Sequence, residues 1–99
     1  MELWIQEHGE EYDIPAEILA LVKAGKLFDQ SWHNDACPSF STQSDGYGRR
    51  IFVEMPKAEN RENPDWPRYN VMDDDETGRS DTVYYGDDLA AAIAALGVK

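Results

Sequence analysis

Ser44-Asp45-Gly46-Tyr47-Gly48-Arg49-Arg50-Ile51-Phe52-Val53-Glu54-Met55 reads as a turn followed by a strand. Ile51, Val53 and Met55 alternate with Arg50, Phe52 and Glu54 at period two, so one face of the strand is apolar and the other mixed. Asp45-Gly46 is a hairpin turn signal within the five-residue connection 44–48. It joins this strand to a shorter one over Ser39 to Gln43. Alternation of this kind implies one buried face, which is the mark of an antiparallel sheet.

Toward the C-terminus, residues 56–67 hold Pro56, Asn60, Asn63, Pro64 and Pro67 and show no period, which reads as a long polar loop. Trp66 is its one large aromatic residue. Arg68 to Met72 resumes as a strand with Tyr69 and Val71 on one side. Asp73 to Ser80 turns the chain at Gly78, and Thr82 to Tyr85 is the return strand. Asp87 is placed to cap a last helix carrying Leu89, Ile93 and Leu96, which Gly97 ends.

Toward the N-terminus, Phe28 and Trp32 share a face of a further strand, which Pro38 interrupts. Before it, the spacing predicts a helix over 15–24, with Asp13 as cap, Pro15 in the first turn, Ile14, Ile18, Leu21 and Val22 as its stripe and Gly25 past its end. Trp4, His8 and Tyr12 fall on one face of a short helix over 2–12, weakened by Gly9. The expected fold is α+β: a small antiparallel sheet of three to five strands flanked by an N-terminal and a C-terminal helix packed on one face.

Ninety-nine residues with 41% apolar content suit one small domain, spanning 1–99. A lone cysteine, Cys37, leaves no intrachain disulfide and points to a reducing compartment. The first residues lack a basic and apolar leader pattern, and the longest apolar run, 89–96, is far below the about twenty residues of a span. The expectation is a cytoplasmic protein without membrane contact.

Twenty acids against nine Lys and Arg give a net charge of −11. That argues against binding nucleic acid directly, since phosphates must be met by Lys and Arg. The acids cluster in two blocks, 2–17 without a base and 73–88 with only Arg79. The chain is expected to be non-catalytic, without metal or cofactor, and to dock a basic protein partner through an acidic surface. The candidate contacts are Glu7, Glu10 and Glu11 in the first block, Asp73, Asp74, Asp75, Glu76 and Asp81 in the second, and Trp66. A sharper form of this expectation is nucleic-acid mimicry, in which the acidic surface fills the groove of a DNA- or RNA-binding enzyme. Small phage inhibitors of restriction or CRISPR nucleases act in this way, and the comparison rests on size and charge alone.

The alternative centres on His33, Asp35 and Cys37, which share one face of an extended segment and suggest a small metal-binding protein or enzyme. Their spacing fits no zinc pattern, and a net negative chain raises rather than lowers a thiol pKa. Asp73, Asp75 and Gly78 imitate the start of a calcium loop, but Thr77 and Tyr84 stand where ligands are needed. The adjacent pairs Glu10/Glu11 and Asp87/Asp88 are what chance provides among twenty acids.

Overall fold

Five strands form one antiparallel sheet in a computed structural model that describes residues 3–98: β1 (Phe28–Asp29), β2 (Ser39–Ser41), β3 (Gly48–Val53), β4 (Tyr69–Asp74) and β5 (Ser80–Gly86). Each pairs with its neighbour in chain order, so the sheet is a simple meander. Ile51 lies opposite both Phe40 and Val71, and Val53 opposite Tyr69. These five side chains are buried on one face.

Three helices cover that face: α1 (Leu3–Glu7), α2 (Ala16–Lys23) and α3 (Leu89–Leu96). Trp4, Ile14, Ile18, Ala92 and Leu96 close the core against the strands. The α+β architecture with its helices on one face is as the hydrophobic pattern implies. Among the described residues, no helix is long and apolar enough to cross a membrane.

Local departures have local causes. The expected 2–12 helix breaks at Gly9, whose φ of 108° no helix tolerates, and resumes as a 3₁₀ turn over Glu10–Tyr12; residue 2 lies outside the described residues. Asp13 does not cap α2. It takes a left-handed φ of 48°, and Pro15 stands at the cap position without a side-chain bond. Asp88, not Asp87, caps α3 by accepting from the Ala91 amide at 3.3 Å. Asp87 Oδ1 instead accepts the Arg68 amide at 2.8 Å.

Trp32 is not part of a strand. β1 ends at Asp29, whose Oδ1 accepts the Ser31 amide and turns the chain, leaving Trp32 50% exposed. β3 ends at Val53, so Met55 falls outside it. β4 runs on to Asp74, which shortens the following turn. A Cβ at Gly86 would sit 2.5 Å from the Tyr84 hydroxyl, so a larger residue there would displace the tip of the ring that accepts the Asp88 amide.

Candidate functional site

Among the described residues, no α-helix packs on the second face of the sheet. Period two puts Arg50, Phe52 and Glu54 of the β3 line there, with Asn70, Met72 and Asp74 of β4 and Tyr85 of β5 beside them. Two loops rise at its margins. Asp35, Ala36 and Cys37 form one wall, and Trp66 with Pro67 forms another. Together they enclose a cleft of about 540 Å³, within the range of ligand sites.

Each wall is held in place. Arg61 threads the long loop, donating from Nε to Met55 O (2.8 Å), from Nη1 to Trp66 O (2.6 Å) and from Nη2 to Pro56 O (3.2 Å). One guanidinium thus fixes a loop whose regular structure, among the described residues, is the 3₁₀ turn Ala58–Asn60, and with it the position of Trp66. On the other side, the Tyr12 hydroxyl donates to Ala36 O at 3.0 Å.

The polar groups of the cleft are incompletely satisfied. Among the described residues, the buried side-chain atoms without a hydrogen-bond partner are His8 Nε2, Arg50 Nε, Glu54 Oε2 and Asn70 Oδ1. The last three belong to residues that line this cleft. Arg50 Nη2 bonds Gly46 O, and its Nε lies 3.9 Å from Asp74 Oδ2, an ion pair without a hydrogen bond. The same guanidinium stands over the Phe52 ring, 5.8 Å from its centroid. A buried polar atom without a partner costs about 1–3 kcal/mol, so folds rarely keep several in one place.

Glu54 is the most constrained of them, 6% exposed. Burial pushes its carboxyl above the ordinary 4.5, opposed by a hydrogen bond from the Cys37 thiol, the Met55 amide and the charge of Arg61, while Glu62 adds to the rise. A carboxyl raised in the fold favours the protonated form there. Its contribution to stability is present below about 4.5 and is lost as pH rises through the raised value. We therefore expect Glu54→Gln to stabilise the domain more near neutral pH than at pH 4.5. Urea midpoints of both proteins at the two pH values check this, and an equal difference at both would refute it.

The cleft was not legible as a site in the sequence, although Phe52 on the mixed face of the strand and Trp66 in a polar loop were its two signals. The other candidates are dispersed. Asp73, Asp74 and Asp81 are paired with Arg49, Arg50 and Arg79. Asp75 turns its side chain back onto the amides of Thr77 and Arg79, which lowers its pKa, chiefly through the Thr77 hydroxyl. Glu76 is exposed at the same hairpin tip, and Glu10 and Glu11 lie on the exposed 3₁₀ turn.

The second acidic block is therefore split, with 73–76 and 81 at one end of the β4–β5 hairpin and Asp87 and Asp88 at the other. His33 and Cys37 face different neighbours. The His33 ring meets Glu7 at 3.1 Å, whereas Cys37 is buried against Glu54. Burial, then the Glu54 carboxylate, push the thiol far above its ordinary pKa, the reverse of what a nucleophile needs. Among the described residues, no three His, Cys, Asp or Glu side chains are grouped to hold a metal.

No protein-family model matches the chain, and no curated protein or solved structure matches it. The functional reading therefore rests on the cleft itself.

Proposed function

We propose that the protein is a non-catalytic binding module that docks a basic protein on the helix-free face of its sheet. The observation that carries this reading is the buried, unpartnered Oε2 of Glu54 in an aromatic-lined cleft. Asp35, Glu54 and Asp74 face a single guanidinium there, that of Arg50, so the lining carries an excess of negative charge. A cation entering the cleft would give Glu54 its missing partner and meet the faces of Phe52 and Trp66.

The surrounding charge of −11 supports the same reading by attracting a basic surface from a distance. Asp73 and Asp81 contribute to that field, but their own partners already hold them. A phosphate-like row of free carboxylates is what mimicry of nucleic acid would need. The internal pairing at the hairpin tip favours capture of a basic side chain instead.

The test uses the immobilised domain, its cleft variants Glu54→Gln and Trp66→Ala, and a surface control on α2, Glu17→Gln. A basic protein retained from lysate in low salt should be lost at high salt and lost with either cleft variant, yet kept by the control. Retention that ignores both cleft variants would sink this reading.

A further inference from the structure

We infer that the cleft takes a guanidinium, the side chain of an arginine on the basic partner, with Glu54 Oε2 and Asn70 Oδ1 as its acceptors and Phe52 and Trp66 as its apolar walls. The inference rests on the docking reading above and names the group that is captured.

Asn70 pairs directly with Phe52, and Glu54 lies two residues further along the same face. Asn70 and Glu54 are diagonal neighbours on adjacent strands, about 7–8 Å apart at the backbone. Both present an acceptor with no donor. A phenyl ring, that of Phe52, and an indole, that of Trp66, line the same cleft.

Two separated acceptors beside flat apolar surfaces match a planar group that donates in several directions. A guanidinium has five N–H donors fixed in one plane and stacks on aromatic rings. An ammonium is a compact, strongly hydrated charge and would leave one of the two acceptors or the ring faces poorly used. A neutral amide or urea has donors but gives no charge to the carboxylate.

At the far end of the cleft, Arg50 is already drawn toward Asp74, 3.9 Å away, so its charge is offset where a second cation would enter. The resident Arg50–Phe52 contact displays the same cation-on-ring arrangement that the incoming group would adopt on the free surface of the rings.

The experiment titrates the intact domain with acetyl-Gly-Gly-Arg-Gly-Gly-amide and with its lysine and citrulline counterparts, followed by amide and indole resonances. The arginine peptide should bind about tenfold or more tightly than either counterpart. Its shifts should centre on the Trp66 indole N–H and the Asn70 side-chain amide. Glu54→Gln should weaken it by about tenfold while Glu17→Gln, on the exposed side of α2, leaves it unchanged.

Equal binding of the lysine peptide, shifts confined to residues 75–79, or no binding of the arginine peptide at millimolar concentration would each overturn the inference. If any of these occurs while retention of a basic protein still depends on Glu54 and Trp66, docking stands and only the guanidinium is excluded. If retention is also indifferent to those residues, both fail.

Discussion

Phe40→Ala is expected to cost about 3–5 kcal/mol, the largest loss from any single substitution in this domain. Phe40 sits at the centre of β2, with Asp29 of β1 opposite on one side and Ile51 of β3 on the other. It is wholly buried and packs in the same core as Trp4, Ile18 and Leu27. Truncation removes the ring's burial and leaves a cavity beneath two strands too short to close over it. A domain of this size has a total stability of about 5–15 kcal/mol, so the variant should be partly unfolded at 37 °C. Phe28→Ala is the matched control. Phe28 is one residue out of register with Phe40, on the more exposed side of β1, and should lose about 1 kcal/mol or less. Urea midpoints of the two variants decide it, and similar losses would mean that the core is not organised around β2.

The second large effect is expected at Arg68. Its Nη2 donates to Tyr12 O (3.0 Å) and Asp13 O (2.7 Å), and its Nε to Glu54 O (3.2 Å). One side chain thus ties the segment leading into α2 to the strand that carries Glu54. Asp13 is held in its left-handed conformation at this point of attachment. Arg68→Met keeps the stem and the backbone bond to Asp87 while removing all three donors. Charge-assisted bonds of this kind contribute about 1.5–3 kcal/mol each, less where water can replace the donor, and the expected net loss is about 2–3 kcal/mol.

The loss should be uneven. Hydrogen exchange at Tyr12 and Asp13 should quicken, because their amides lie in the released turn. Amides paired between β3 and β4 should hold their relative protection. Tyr12 also braces Ala36, so the cleft wall should loosen and the arginine peptide should bind more weakly. A uniform acceleration of exchange across the sheet would show that Arg68 acts on global stability alone.

Phe40 and Arg68 both act through contacts between segments distant in the chain, which the order of residues does not display. Ile51 and Val53 could be assigned to the core from their spacing, because alternation is a local property. The Asp45-Gly46 turn was equally legible, and Gly46 takes the positive φ of 87° that such a turn needs. The same logic places Trp32 in a strand, and it is not in one. The period gave no warning that Asp29 would bond the amide two residues on and end the pairing. Asp87 is the cap that the order of residues suggests, since its carboxylate stands just before the apolar stripe of the last helix. The choice fell to Asp88 because Asp87 is taken by the amide of Arg68, nineteen residues away.

Glu54 makes the same point for the site. As an acid alternating with Val53 and Met55, it reads as a solvent-facing strand residue. It is buried where segments 35–37 and 66–67 line one cleft with it, the second segment held by Arg61. The amino-acid order alone determined the class of fold, the core face of the central strands and the excess of negative charge, since periodicity, turn chemistry and composition are carried by neighbouring residues. Which carboxylates would be spent on internal partners and which would be left unsatisfied in a cleft was decided only by tertiary structure, because pairing and burial depend on segments that meet in space.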